Sequence, residues 1–312
     1  PEEVWGGMRE YLLIIFAGLL ATSLYNFFSC LLRALGNSTV PLVFLAVSAI
    51  LNIAWDLLFV AVFHWGIAGA AYATIFAQYV SGIGILLYVL FRCRSLFPER
   101  KDLCFDGGIL KEIAGLSSLT CLQQSVMNFG ILMVQGLVNS FGATTMAAFA
   151  AAVKIDTFAY LPVQDFGNAY STFIAQNYGA GNKERIRRGT KESFAISTAF
   201  SLVISALVFA FAAPLMQIFV SSAETAVIAS GVRYLRIEGA FYFGIGCLFL
   251  LYGYYRAIKR AEMSVVLTVI SLGTRVLLAY MLSATFLGET GIWMAIPIGW
   301  ILADLTGLLY MR

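Results

Sequence analysis

Apolar residues in this chain come in long unbroken runs instead of alternating with polar ones. A helix needs about 20 apolar residues to cross the hydrocarbon core of a bilayer. That window picks out nine spans, at 11–32, 41–63, 67–91, 113–138, 146–175, 192–219, 232–256, 262–286 and 291–311. Short connections with turn chemistry separate most of them, as in Leu35-Gly36-Asn37-Ser38 ahead of Pro41, or Ser140-Phe141-Gly142 after the fourth span. The exception is 92–112, where Arg92, Arg94, Pro98, Glu99, Arg100, Lys101, Asp102, Gly107 and Gly108 read as a linker between two bundles. The expectation is an all-α polytopic membrane protein. Residues 1–91 supply three helices of one lobe, 92–112 connect, and 113–312 form a second lobe of six helices.

Composition agrees. Of 312 residues, 60% are hydrophobic and 12% charged, about half the charged share of a soluble domain. Mean hydropathy is +0.85, so the bilayer is the natural solvent. A soluble enzyme, a secreted disulfide scaffold and a nucleic-acid-binding tail are excluded. Five cysteines are an odd number, with Cys30, Cys121 and Cys247 inside apolar runs and Cys93 and Cys104 in the basic linker. They read as reduced thiols. A single histidine, His64, leaves no two-histidine metal site, and no stretch supplies a G-x-x-x-x-G-K-[ST] phosphate loop. Scattered carboxylates without a clustered nucleophile or base argue against an intramembrane enzyme. No cofactor and no obligate protein partner are expected.

Fifteen of the twenty lysines and arginines fall on one side of the predicted spans: Arg33, five from Arg92 to Lys111, five from Lys183 to Lys191, then Arg256, Lys259, Arg260 and Arg312. The opposite side has Arg9, Arg233 and Arg236. By the positive-inside rule the richer side is cytoplasmic, which puts the C-terminus inside and the N-terminus outside a cell membrane.

An internal repeat is also visible. Laying spans one to three on spans seven to nine at an offset of 223 brings Arg33-Ala34 onto Arg256-Ala257, Val43 onto Val266 and Ser48 onto Ser271. After a two-residue insertion, Gly66-Ile67 meets Gly291-Ile292, Ala70 meets Ala295 and Gly82 meets Gly307. Structural repeats of this kind are common in secondary transporters. The order is then B, A, B, and the reading expects three further spans ahead of Pro1, making a twelve-helix protein of two six-helix lobes.

Gln176-Asn177-Tyr178-Gly179-Ala180-Gly181-Asn182, followed by Lys183, Arg185, Arg187 and Arg188, resembles the motif at the cytoplasmic end of the eighth helix in multidrug and toxic-compound extrusion (MATE) transporters. Leu32-Arg33-Ala34-Leu35-Gly36 with Pro41 and Asn52 looks like that family's passage from fourth to fifth helix. Gly66-Ile67-Ala68-Gly69-Ala70-Ala71 with Thr74 looks like the opening of its sixth. The resemblance covers essentially all 312 residues, from the fourth helix to the twelfth. It implies an ion-coupled antiporter that exports organic, commonly cationic, compounds through a cleft between two lobes.

Asn52 and Asp56 lie four apart on span two, so their side chains share a helical face. A carboxylate beside a carboxamide oxygen suits a proton or a sodium ion, and that pair is the one metal site the sequence offers; the alternative is an aspartate solvated or capping at the outer interface. Similarity to the DinF-like branch implies that Asn52, Asp56, Thr74 and Tyr11 belong to a cation-coupling site in the N-terminal lobe, together with a first-helix aspartate that would precede Pro1. The NorM-like branch places carboxylates on its seventh and tenth helices. Here the seventh-helix position falls at Gln124-Ser125, and on the tenth Ile245 takes the expected place, with Glu238 two turns earlier. That departure argues against NorM-type coupling.

In the second lobe, Arg275 and Asp304 sit mid-span and read as a structural ion pair, with Arg275 at the repeat position of Asn52. Glu238 reads as an outer-end carboxylate satisfied by Arg233 or Arg236. Gln124, Gln164 and Asp165 are candidates for lining a substrate cleft. Lys154 and Asp165, eleven apart, are separated by roughly 16 Å along their helix and cannot pair. The sequence thus predicts export of amphipathic organic cations in exchange for protons or sodium. The alternative is a lipid-linked oligosaccharide flippase, which would want several arginines in its cleft.

Overall fold

The computed structural model describes residues 2–94 and 104–311; most of the predicted linker chemistry, from Pro98 to Asp102, lies outside the described residues. The helices are α1 (Glu2–Ala17), α2 (Leu19–Ala34), α3 (Thr39–Asp56), α4 (Gly66–Arg92), α5 (Gly107–Asn139), α6 (Ala143–Gly179), α7 (Lys183–Phe219), α8 (Thr225–Gly239), α9 (Tyr242–Ala257), α10 (Ala261–Ser283) and α11 (Glu289–Tyr310). Among the described residues, seven helices are long and apolar enough to cross a bilayer, and nine spans result when each of the bent pairs α1–α2 and α8–α9 is taken as one. The all-α membrane architecture is as the hydrophobic runs predict.

Helix ends follow local chemistry. Asp106 accepts from the backbone N–H groups of Gly108 and Ile109 and starts α5 inside the stretch predicted as linker. Asn37 Oδ1 accepts from Val40 N at the start of α3. The Gln176–Asn182 motif is a corner: Gly181 has φ +68°, Asn182 N donates to Asn177 O at 2.9 Å, Asn177 Nδ2 donates to Phe173 O at 2.8 Å, and Asn182 Oδ1 caps Arg185 N. The motif is therefore a rigid joint between two 37-residue helices. Each is about 55 Å long, well beyond a hydrocarbon core of about 30 Å.

The structure divides into two compact units, Pro1–Phe105 and Asp106–Arg312. In the first, α4 packs against α1, α2 and α3. Gly82 permits this: a Cβ there would stand 2.6 Å from the carbonyl oxygen of Ala21, and small residues let membrane helices approach closely. Its core is a small cluster of Phe28, Leu32, Ile85 and Val89. In the second unit α6, α8, α9 and α11 enclose a larger core. There the Phe149 and Trp293 rings stack at 5.4 Å, with Tyr234 edge-on to Trp293 at 4.9 Å.

The repeat has structural counterparts that hydrophobicity alone does not reveal. The first helix pair bends by 40° across Gly18 and the later pair by 51° across Ala240-Phe241, and position 18 plus 223 is 241. The turns after α2 and α9 use a left-handed residue at matching places, Gly36 with φ +86° and Lys259 with φ +62°. Arg33 Nε donates to Ser29 O at 3.3 Å and Arg256 Nε to Tyr252 O at 3.2 Å, again 223 apart.

Candidate functional site

In the first unit, Asn52 and Asp56 occupy the last turns of α3. Asp56 is its final α-helical residue, and Leu57–Val62 continue as a π-helix. Such segments appear frequently at functional sites, because the wider turn shifts the register of backbone carbonyls. Asn52 Nδ2 and Asp56 Oδ1 are both buried without a hydrogen-bond partner. Leaving polar atoms in that state costs free energy unless a ligand or water satisfies them. On α4, Thr74 Oγ1 donates to Ala70 O at 3.0 Å, and Gln78, one turn on, supplies a third buried polar atom without a partner, its Oε1. The two helices meet here: Ser48 Oγ donates to Ala77 O at 2.8 Å and the Trp55 and Phe76 rings are 5.8 Å apart. Tyr11 is half-buried on α1. No hydrogen bond among the described residues joins Asn52, Asp56, Thr74 and Tyr11 to one another. Gln78 escaped the sequence reading, although a carboxamide four residues from Thr74 was there to be noticed.

The bend beside this region is braced rather than frayed. Gly18 sits against the Gln78 side chain, whose carboxamide oxygen would have to swing aside for a Cβ, and Tyr79 O–H donates to the carbonyl of Ala17 at 3.1 Å.

The second unit corrects two expectations. Arg275 and Asp304 do not pair. Arg275 lies level with Gly299, whose Cβ position is 3.5 Å from Arg275 Cβ; Asp304 is five residues farther along α11, about 7.5 Å at 1.5 Å per residue. Arg275 Nε and Asp304 Oδ1 are each buried without a partner. Nor is Glu238 held by the neighbouring arginines. Arg233 Nη1 is 3.5 Å from Glu289 and 3.4 Å from Thr290, and the Arg236 guanidinium stacks 5.3 Å over Phe209. Because α8 begins at Thr225 and not at 232, Glu238 stands at the bend in mid-span instead of at an outer end.

What surrounds Glu238 is a buried polar cluster. Asp156 of α6 is 3% exposed and Glu238 is 6% exposed. Tyr242 O–H, on the first residue of α9, donates a hydrogen bond to Asp156 Oδ1. Tyr234 and Glu238 also come within hydrogen-bonding reach of Asp156, and the charge of Arg275 acts on both carboxyl groups. Asp156 Oδ2 and Glu238 Oε2 have no donor. Asp156 was legible as an acid inside the fifth apolar run; Tyr234 and Tyr242 carried no sequence signal, since their partner is on another helix.

Two adjoining cavities open beside the cluster. One of about 160 Å³ is lined by Glu238, Arg275, Gln164 and Tyr160 among others. The other, about 90 Å³, is walled by Gln123, Gln124, Gln164, Asn168 and Arg256. Gln124 and Gln164 thus share a cavity, whereas Asp165 is exposed and lines neither. Lys154 lies 5.8 Å over the Phe219 ring, away from both. Among the described residues no group of three or more histidine, cysteine or carboxylate side chains could hold a metal ion.

Comparison with known proteins joins these features. The MatE family model matches residues 1–58 and 119–281. The chain is 33% identical over its whole length to "Probable multidrug resistance protein YpnP" of Bacillus subtilis, covering 69% of that protein. It is 28% identical to "Probable multidrug resistance protein NorM" of Thermotoga maritima, over 93% of this chain and 63% of that one. Its fold matches a crystal structure of the Vibrio cholerae MATE transporter VcmN with a TM-score of 0.92 at 23% identity, over 99% of this chain and 70% of the other. With nine apolar spans, two of them broken at repeat-related positions, and a family model matched on both sides of its linker, the chain belongs to the MatE family of membrane transporters and not to any class of enzyme.

Proposed function

We propose that this protein is a secondary antiporter, exporting amphipathic organic cations across the cell membrane in exchange for protons or sodium ions, with its C-terminus in the cytoplasm. We assign it to the DinF-like branch, with the coupling ion held by Asn52 and Asp56 and with Thr74 and Tyr11 nearby. The observation that carries the assignment is the orphaned pair on α3: two buried polar atoms, Asn52 Nδ2 and Asp56 Oδ1, on one helical face immediately before a π-helical turn. A carboxylate in such a place binds a cation in one state of the cycle and releases it in another. That differential affinity is what allows an ion gradient to bias the equilibrium between outward-open and inward-open states. The names of the two curated relatives support a drug-export role.

The test is efflux of a cationic dye from cells expressing the full-length protein, with the proton and sodium gradients collapsed one at a time. Efflux should stop with one of them. The reading fails if efflux survives collapse of both, or if folded protein moves no amphipathic cation. The second outcome favours a flippase for lipid-linked oligosaccharides, for which Arg256 and Arg275 in adjoining cavities would supply anion-binding groups.

A further inference from the structure

We propose that Asp156 and Glu238 share one proton across the break between α8 and α9, forming a proton-holding site in the second unit that is separate from Asn52 and Asp56. The argument begins with charge. Asp156 and Glu238 bring two negative charges and Arg275 one positive charge to a buried site, which leaves one negative charge without compensation. A buried uncompensated charge is costly, and it neutralises by taking up a proton where one is available. Geometry then says where the proton lies. The two carboxyl groups are within hydrogen-bonding reach of each other, and each has one oxygen without a donor, Asp156 Oδ2 and Glu238 Oε2. Two carboxyl groups make a hydrogen bond only when one of them carries the hydrogen. Tyr242 donates to Asp156 Oδ1, which marks Asp156 as the acceptor and Glu238 as the protonated partner. The pattern is that of paired carboxyl groups that cannot both ionise at close range.

The surroundings leave little else to supply that charge. On the helices packed around the pair, the titratable and charged groups facing it are Tyr234 of α8, Tyr242 of α9 and Arg275 of α10. From α7 the buried side chains Ser197, Ser201 and Ser205 are neutral. On α11, Trp293 and Trp300 are neutral, and Asp304 acts on Cys247 and Tyr252 instead. Sodium suits the site less well than a proton, because the Tyr242 hydroxyl already spends its hydrogen on Asp156 and the Arg275 guanidinium repels a second cation. Glu238 also lines the cavity of about 160 Å³, large enough for water. A proton can therefore pass from the Glu238 carboxyl to a cavity water, leaving a hydronium ion and two carboxylates.

The position of the pair gives that step a mechanical consequence. Glu238 is in the last turn of α8 and Tyr242 is the first residue of α9, with a 51° bend between them. Both reach across to Asp156 on α6, so one acid staples the two halves of a broken helix. Loss of the proton turns the Glu238 contact from a bond into a repulsion and leaves the Tyr242 bond in place. The α8 side of the bend is then pushed away while the α9 side stays.

The site does not depend on the proposed coupling role of Asp56, and its test does not read transport. Infrared spectra of the purified full-length protein in water and in deuterium oxide should contain a carbonyl band of a protonated buried carboxyl group. Glu238→Gln should abolish that band, and Asp156→Asn should abolish it too, because Glu238 and Arg275 then balance each other and the extra proton is no longer needed. Tyr242→Phe, which keeps both acids and the packing, should shift it. The proposal is overturned if folded Glu238→Gln retains the wild-type band unchanged. Should Glu238→Gln fail to fold, Tyr242→Phe decides alone: a shifted band upholds the proposal and an unchanged band overturns it.

Discussion

The two repeat-related regions, α1–α4 in the first unit and α8–α11 in the second, share a backbone plan and differ in where they put charge. Both begin with a broken helix, turn on a left-handed residue 223 positions apart, and brace that turn with the same arginine-to-carbonyl bond. Yet Asn52 corresponds to Arg275, Asp56 to Ala279, and Ile15 to Glu238. The first unit therefore offers an orphaned carboxylate beside a carboxamide and holds no arginine at the matching level. The second offers a carboxyl pair with a fixed positive charge. The shared backbone supplies the bends, and the substitutions decide which charges stand beside each.

Packing differs as well. The apolar window of the α3 span is 6% buried within its unit and that of α11 is 56% buried within its own, where the second unit builds an aromatic core. Trp293 has Ala68 as its counterpart. The largest stability effect expected is therefore Trp293→Ala, which should destabilise by about 3–5 kcal/mol, whereas Ala68→Gly should cost about 1 kcal/mol. Thermal unfolding of the purified protein measures both, and equal losses would undo the contrast. Next comes Gly82→Val. Its Cβ must displace the Ala21 carbonyl, so the variant should lose about 1–3 kcal/mol through forced separation of α2 and α4, checked by the same melt.

A smaller effect tests the corrected electrostatics. Because Arg275 and Asp304 do not touch, Arg275→Gln and Asp304→Asn should be additive in stability to within about 0.5 kcal/mol. A double mutant more stable than the single-mutant sum predicts would restore the ion pair. The smallest effect belongs to the loop after α9, where Lys259 Nζ lies 2.5 Å from Glu112. That hydrogen bond raises the lysine above its ordinary range. A raised lysine stabilises the folded state below its ordinary value, and the contribution fades as pH climbs through the raised one. The difference in melting temperature between wild type and Lys259→Met should be small near neutrality and vanish in strong alkali. A difference that grows with alkali would contradict the assignment.

How far the sequence could be read depends on the range of the interaction. Nine spans were legible because the bilayer imposes a length on every one of them, and the Asn52–Asp56 face followed from helical spacing. The bends at Gly18 and Phe241 were not, since a helix broken for one or two residues keeps its hydropathy. The predicted span 232–256 already had the length that one crossing needs, so the stretch from Thr225 that α8 adds ahead of it went unread and Glu238 fell at a membrane edge. Mid-span placement of Arg275 and Asp304 suggested a pair, but the register of α10 against α11, fixed by Gly299, decides against it. Asp156, Tyr234 and Tyr242 meet only through the packing of three helices.

The most direct measurement of the central claim is efflux of an organic cation from proteoliposomes holding the full-length protein, wild type beside Asp56→Asn, driven by an imposed proton or sodium gradient. The account predicts that one gradient drives the wild type and that Asp56→Asn, equally folded and inserted, loses at least tenfold in rate, about 1.4 kcal/mol or more. Undiminished gradient-driven efflux by Asp56→Asn would contradict it and move the coupling ion away from α3.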